Sequence, residues 1–487
     1  MRYLAFDLGG SSGKLFAGTL QNDRLLVEPV HAFPNAICRF SGGLYWDYFG
    51  IQQQMNLGIE KAASSGGFAS FGIDSFNNDF SLIDRRGDLL IPVRSYRDPR
   101  TVEFEDEIYR LIPREKLYRF TGNQLAPFNT FMQLAAMSLA GQTSVFQDAD
   151  CMLLLPDLLG FSITGERAAE YTVAAETQFL ELEGRKWLPE ILDTIGIPSH
   201  ILPPVHLPGT RRAKASDAYC KAHGIPAFEF VSVCEHDTAS AFLAAPGGSD
   251  AAYLSSGTWS LVGLETDRPV ITEETFRHNI ANEGGYPGHH RLLKNVMGFW
   301  ILQELLREYA ADGIHFDFSQ TQQLAAQASA FGCLFDPDAP AFFSPGNMRE
   351  KIRTACSQNG GNVPETPGEF FRAIYEGLAF RYRYSLELLT RAAGKDISLV
   401  NILGGGSRDA FACQCTANAT GLRVAAGPAD ATAIGNLLAQ LLAFNELSGV
   451  AQARELVARS FPVKEYEPMQ TAIWNEQYQR FLTLIEA

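Results

Sequence analysis

Tyr3-Leu4-Ala5-Phe6-Asp7-Leu8-Gly9-Gly10-Ser11-Ser12-Gly13-Lys14 opens the chain as an apolar run ending on an acidic residue and a Gly/Ser turn. Leu15-Phe16-Ala17-Gly18-Thr19-Leu20 then resumes strand-like composition, so the spacing predicts a hairpin. The same order returns near the middle, where Ala251-Ala252-Tyr253-Leu254 runs into Ser255-Ser256-Gly257-Thr258-Trp259-Ser260 and then Leu261-Val262-Gly263-Leu264. Just ahead of that second copy lies a composition break, Ala245-Pro246-Gly247-Gly248-Ser249. One diverged duplication of about half the chain follows, with lobes 1–245 and 246–487, which suits a 487-residue chain built from domains of ~150 residues. Leu25 to Val30 and Ala69 to Ile73 add strand candidates between helix-length segments, predicting an α/β architecture with a mixed sheet.

Forty Lys and Arg against fifty-five Asp and Glu give a formal net charge of −15. Pairs such as Arg85-Arg86 and Arg211-Arg212 form no basic stripe, so nucleic acid is not an expected partner. Small anions remain open, because turn amides hold phosphate without net positive charge. The eight cysteines include no C-x-x-C pair, which points to a reducing cytoplasm, with Cys413 and Cys415 as buried or half-buried helix thiols. Asp7 arrives too soon for a signal-peptide core, and no run approaches the ~18 apolar residues of a membrane helix.

Gly13-Lys14 is not a P-loop, since Leu8 stands where its first Gly belongs and Leu15 follows the Lys. No G-x-G-x-x-G occurs either. What remains is Asp7 at a strand end, able to hold Mg2+, followed by a turn whose amides and hydroxyls can meet phosphate. Taken alone it reads more readily as a plain hairpin than as a phosphate site; the second Ser-Ser-Gly-Thr turn shifts the reading to two turns that clamp a polyphosphate.

Phe228 to Cys234 reads as a strand that delivers Glu235-His236-Asp237-Thr238-Ala239-Ser240 into a small-residue helix. Asp237 is there either a helix N-cap or a general base for a substrate hydroxyl. Gly72-Ile73-Asp74-Ser75-Phe76-Asn77-Asn78-Asp79 is either an Asn/Asp turn or a set of hydroxyl-binding side chains. Asn295 reads locally as a helix start, with ligand contact as the alternative, and His289-His290 as a surface pair. Thr366-Pro367-Gly368-Glu369 opens a helix that runs toward Gly394. Ile397 to Leu403 is a strand leading through Gly404-Gly405-Gly406 to a helix from Ser407, an order that serves either a phosphate or a plain βα turn.

Asp7 to Lys14, Tyr96-Arg97-Asp98-Pro99-Arg100-Thr101, Pro127-Phe128-Asn129-Thr130, His236-Asp237-Thr238-Ala239-Ser240, Leu254 to Ser260, Asn282 to Gly285, Leu293 to Gly298, Gly404 to Gly406 and Gly427-Pro428 resemble the FGGY carbohydrate kinases in motif and order from residue 7 to about 428. The resemblance implies two actin-like ATPase (ribonuclease-H-like) lobes with a central cleft for ATP and sugar. It implies Asp237 as the base. It implies Gly10, Ser11, Ser12, Gly13, Lys14, Thr258, Gln303 and Gly404 as ATP contacts, and Asn77, His236, Thr238 and Asn295 as sugar contacts, with Mg2+ at Asp7. Within the family it is similar to the members acting on L-rhamnulose, which implies ATP plus L-rhamnulose giving L-rhamnulose 1-phosphate and ADP. Those members usually read Gly-Ile-Asp-Thr-Trp-Gly-Val-Asp where this chain has Gly72 to Asp79, and Asn77 fills a place the family leaves as bare backbone. L-fuculose, D-xylulose or L-ribulose therefore stand as alternatives, beside a non-enzymatic actin-like ATP-binding module. Oligomeric state stays open.

Overall fold

The opening run forms a strand, Arg2–Leu8, whose Tyr3, Leu4, Ala5, Phe6 and Leu8 are fully buried. Such a continuous apolar run belongs to a strand covered on both faces. It pairs antiparallel with Ser12–Gln21 and parallel with Ser70–Ser75, so the expected hairpin is present. Arg24–Pro34 extends the sheet at one edge, and its Pro29 sits where the register with Ser12–Gln21 shifts, a place where a missing N–H is tolerated. On the other side come Glu229–Ser232 and Thr210–Lys214, completing six strands. The structure is a computed structural model describing residues 1–248 and 250–485.

One face of this sheet packs on Ile51, Met55 and Ile59 of the helix Tyr48–Ser64 and on Leu158, Leu159 and Ile163 of the helix Leu155–Thr164. The opposite face carries the helix Ala431–Ala443, whose Gln440 takes a hydrogen bond from Ser70 Oγ (2.6 Å) and donates one to Leu4 O (3.0 Å). That helix also packs on Asp237–Leu243, and Gly435 is what lets the two backbones meet. A Cβ there would lie 1.8 Å from Ser240 O.

Ala251–Ser256 repeats the opening arrangement, antiparallel to Trp259–Thr266 and parallel to Leu399–Leu403, with Arg423–Ala426 next and Lys464–Tyr466 antiparallel to it. The hairpin-plus-parallel-strand order therefore occurs twice, as expected of two ribonuclease-H-like halves. The helix Pro367–Ala393 starts at Thr366 with its capping box to Glu369 and ends at Gly394 in the left-handed region (φ 61°), as the punctuation indicates. The strand expected from Ile397 begins at Leu399, and the expected Leu25–Val30 strand is longer.

Two compact units result: Met1–Ala244 with Thr266–Leu292 and Ala431–Ser460, and Ala245–Glu265 with Leu293–Asp430 and Phe461–Ala487. The chain passes from one to the other at the expected break, but the contiguous halves 1–245 and 246–487 are interleaved. The reason is packing. Residues 266–292 are tied down where Tyr118 Oη donates to Ile280 O (2.6 Å) and Asn282 N to Gly122 O (2.8 Å). Residues 431–443 are held by the glutamine bonds above. Ser249 of the expected boundary, and Glu486 and Ala487 at the end of the expected second lobe, lie outside the described residues. Among the described residues no helix is long and apolar enough to cross a membrane.

Candidate active site

Asp7 ends its strand opposite Asp74 in the parallel neighbour and opposite Lys14 across the hairpin. In the turn between, Gly9 N donates to Ser12 O (2.9 Å), and Asn35 clamps it through N to Ser11 O (2.9 Å) and Nδ2 to Gly9 O (3.0 Å). Gly10 and Ser11 are exposed, Ser12 and Lys14 half-buried. Gly13 is buried for a packing reason: a Cβ would stand 2.3 Å from the Phe33 ring. Asp74 is fully buried and accepts from Asn436 Nδ2 (2.7 Å). Burial, then the charges of Asp7 and Asp237, push its carboxyl well above the usual range, and its Oδ1 has no hydrogen-bond partner. Asp74 is thus a buried neighbour of two carboxylates, held by Asn436.

The strand Glu229–Ser232 feeds the helix Asp237–Leu243, whose cap is His236; Asp237 is its first helical residue, not the N-cap. Ser75 N holds Glu235 O (2.8 Å), while Glu235 N donates to Glu170 Oε2 (3.1 Å) and His236 N to Thr172 Oγ1 (3.0 Å). The backbone that presents Asp237 is therefore fixed on both sides. A third of the Asp237 side chain (33%) remains open to solvent, and Thr238 Oγ1 donates to its Oδ1 (3.0 Å). Burial, only partly offset by the Thr238 hydrogen bonds, pushes the carboxyl up to about 6. A carboxylate with that pKa is deprotonated at neutral pH and still basic enough to accept a hydroxyl proton in a transition state.

Near it the loop after Ser75 turns through Asn78, which has φ 73°. Asn77 Oδ1 accepts from Asn78 Nδ2 (2.7 Å), and Asn78 O in turn accepts from Thr130 Oγ1 (3.0 Å) and Gln133 Nε2 (3.1 Å). Phe76 packs between Trp46 (centroids 4.6 Å) and Tyr96 (5.8 Å), and Tyr96 meets Phe128 (6.2 Å). The Trp46 indole N–H donates to buried Asp79 (2.5 Å), whose carboxyl burial raises to about 7. A Cβ on Gly10 would come 3.7 Å from the Tyr96 hydroxyl, so this aromatic wall borders the first turn.

His236 is buried, and its Nε2 lies 3.4 Å from Asp237 Oδ1. Its Nδ1 faces Arg291 Nη2 (3.0 Å), Glu283 Oε2 (3.6 Å) and Glu176 Oε1 (3.7 Å). Glu176, His236 and Glu283 come close enough to hold a metal ion, but the Arg291 guanidinium occupies the same oxygens and nitrogen, and a fixed cation there opposes a dication. The first unit thus brings Asp7, the Gly10–Lys14 turn, Asn77, His236, Asp237 and Thr238 into one neighbourhood.

Asn295 belongs to the second unit and lies on the strand His290–Met297, so it is not a helix start; the helix begins at Trp300. His290 is buried in the same strand rather than on the surface. In that unit the second turn folds onto the helix Trp300–Ala311: Phe299 N and Trp300 N donate to Gly257 O (3.0 Å) and Thr258 O (3.1 Å), and Thr258 Oγ1 to Gln303 Oε1 (3.3 Å). Gly404, in the left-handed region at φ 77°, abuts the same turn, its Cβ position 3.3 Å from Ser256 O. Thr258, Gln303 and Gly404 are therefore gathered. The helix expected from Ser407 instead starts at Ala410 after a 3-10 turn, and Asp409 caps it by accepting from Ala412 N (2.9 Å). That N-terminus already holds a carboxylate at its cap. Cys413 and Cys415 are buried on this helix, and among the described residues no two cysteines are joined by a disulfide.

Tyr96, Asp74 and Glu283 fall inside motifs quoted from the sequence, whereas Asn436, Glu176 and Arg291 carry no local pattern, because they reach the site from separate elements.

Residues 3–244 match the FGGY family of carbohydrate kinases, N-terminal domain, and residues 252–444 its C-terminal domain. A protein of Bacteroides thetaiotaomicron named Rhamnulokinase is 37% identical, covering 98% of each chain. One of the same name from Enterococcus faecalis is 37% identical over 99% of this chain and 97% of its own. Among solved structures, a ligand-bound xylulose kinase from Lactobacillus acidophilus superposes with TM-score 0.83 at 18% identity, over 100% of this chain and 98% of its own. Plasmodium falciparum glycerol kinase with ADP gives 0.81 at 14%, over 100% and 97%. At such identities the structures speak for the fold, while the domain matches and the relatives speak for descent: the chain belongs to the FGGY family of carbohydrate kinases.

Proposed function

We propose that this kinase transfers the γ-phosphoryl group of ATP to O1 of L-rhamnulose, with Asp237 as general base. The observation that carries the catalytic assignment is the half-open Asp237 carboxylate at the helix start, raised to about 6 and bordered by His236. In the step, the sugar O1–H proton passes to Asp237, O1 bonds to the γ-phosphorus, and the bond to the β,γ-bridging oxygen breaks to release ADP. Asn77, His236 and Thr238, with Asn295 of the second unit, are the proposed sugar contacts. Gly10, Ser11, Ser12, Gly13 and Lys14 form one proposed set of ATP contacts, and Thr258, Gln303 and Gly404 another.

Mg2+ fits the oxygen-rich ground around Asp7, where Asp74 Oδ1 is a buried acceptor without a partner and the carboxylates repel one another. Bound there with the nucleotide, it would neutralise charge on the phosphates. The sugar assignment rests on the relatives' name, set against the Phe76-Asn77 departure. Eight cysteines without a disulfide among the described residues suit a cytoplasmic setting. The test is ADP release with ATP, Mg2+ and, in turn, L-rhamnulose, L-fuculose, D-xylulose and L-ribulose. Release is expected to require a ketose and to be fastest with L-rhamnulose; another preferred ketose overturns the substrate, and sugar-independent release overturns the mechanism.

A further inference from the structure

Behind Asp237 the first unit buries a cation that phosphoryl transfer does not itself require. Arg291 is 1% exposed and ringed by polar groups, although its Nη1 makes no hydrogen bond. Nε donates to Gly284 O (2.8 Å), Nη1 lies 3.0 Å from Glu283 Oε2, and Nη2 lies 3.0 Å from His236 Nδ1 and 3.6 Å from Glu176 Oε1. The guanidinium carbon stands 5.9 Å over the Phe242 ring. A guanidinium only donates, so His236 Nδ1 accepts, and a neutral imidazole accepting at Nδ1 carries its proton on Nε2. That is the nitrogen 3.4 Å from Asp237 Oδ1.

We propose that Arg291 is a positioning residue: by donating to His236 Nδ1 it locks the ring as the Nε2–H tautomer, whose N–H then aims the Asp237 carboxylate at the sugar. The claim rests on Asp237 being the base. The opposite tautomer would set N–H against the guanidinium and a bare lone pair against the carboxylate, two repulsions in place of two attractions. The charged groups facing the ring are Arg291, Glu176, Glu283 and Asp237. Burial and the charge of Glu283 drive the Glu176 carboxyl well above its usual range, and burial raises Glu283 as well, against the lowering charge of Arg291. Burial and Arg291 hold the imidazole well below its ordinary pKa, keeping it neutral.

Long-range ¹H–¹⁵N spectra of the histidine-labelled protein, with His236 assigned through His236→Gln, read the tautomer directly. Wild type is expected to show a bare Nδ1 and a protonated Nε2 at pH 7; a protonated Nδ1, or a tautomer mixture, overturns the proposal. Arg291→Met is expected to erase that pattern and lower kcat about 10- to 100-fold with the KM for ATP unchanged. In the His236→Gln background the same change should cost about twofold or less; a full loss there means Arg291 acts by another route and refutes the claim. Should Arg291→Met fail to fold, Arg291→Lys, which keeps a donor but not the fork, is expected to give a partial loss of both the tautomer pattern and kcat. Wild-type behaviour in both readouts for Arg291→Lys would refute the lock. The spectrum needs no turnover, so a protein inactive on every ketose would overturn the kinase reading and leave the tautomer result standing on its own.

Discussion

Replacing Asp237 by Asn separates the chemistry of the carboxylate from its cost to the fold. The amide is near-isosteric but cannot take a proton, so kcat is expected to fall about 10²- to 10⁴-fold, the usual range for a lost general base. The pH profile sharpens this. The active form is the carboxylate, with a pKa of about 6, so kcat/KM should rise with pH and lose about tenfold between neutrality and pH 5. A solvent-exposed aspartate would lose almost nothing over that interval. Stability runs the opposite way. A carboxyl raised in the folded state favours folding while protonated, and that advantage is lost as pH climbs from 3.8 through about 6. Full burial would make the cost at pH 7 ~3 kcal/mol. Solvent reaching 33% of the side chain and the favourable helix start reduce it to about 1 kcal/mol. The Asn variant should therefore be slightly more stable than wild type at pH 7 in urea titrations while nearly inactive. The assay is ADP release from pH 4.5 to 8.5 in both proteins, with any limb that persists in the variant belonging to the nucleotide. Near wild-type kcat in the variant, or an acid limb centred near 4 in wild type, refutes the assignment.

Asp7→Ala should lower kcat/KM for ATP with Mg2+ about 100-fold, and an unchanged value removes Asp7 from the site. Thr258→Val should cost about 1 kcal/mol of nucleotide use by losing the hydroxyl bonded to Gln303, read as a several-fold rise in the KM for ATP. Phe76→Trp with Asn77→Gly should shift kcat/KM toward L-rhamnulose against L-fuculose, D-xylulose and L-ribulose; an unaltered ranking assigns sugar choice elsewhere. Gly435→Ala should destabilise the chain by about 2 kcal/mol or more in urea and depress kcat, because the clash with Ser240 O displaces the helix that begins at Asp237.

The fold was legible where local pattern and topology coincide. The doubled run of strand, Ser/Gly turn and strand is written in residues 3–20 and 251–264, and each hairpin acquires its parallel third strand, Ser70–Ser75 or Leu399–Leu403, from a run visible in the sequence. What local pattern cannot show is where a helix docks. Ala431–Ala443 follows the strand Arg423–Ala426 of the second unit in sequence, yet its Asn436 and Gln440 are spent on Asp74, Ser70 and Leu4. Nothing near residue 431 announces that partnership. The error at Ser407 has a related cause: the Gly turn was read as leading straight into a helix, whereas Asp409 is the better cap and defers the start by one turn.

The site divides along the same line. Groups proposed to touch substrate sit at strand ends, turns and a helix start, where an acidic residue beside glycines or hydroxyls is conspicuous, and Asp7, Asp237 and Thr258 are candidates on that ground. Groups that set the properties of those residues are buried and come from far along the chain. Asp237 owes its pKa of about 6 to burial, and His236 its neutrality to burial beside Arg291, fifty-five residues away in sequence. Asp74 owes its raised carboxyl to burial first, then to Asp7 near a strand end and Asp237 at a helix start. Each of these supports looks like an ordinary strand or helix residue until the sheet aligns them. A substitution that preserves every motif can therefore still change the chemistry: Glu283→Gln, invisible to motif matching, would leave Arg291 short of its counter-charge while leaving Asp237, His236 and both turns intact in sequence.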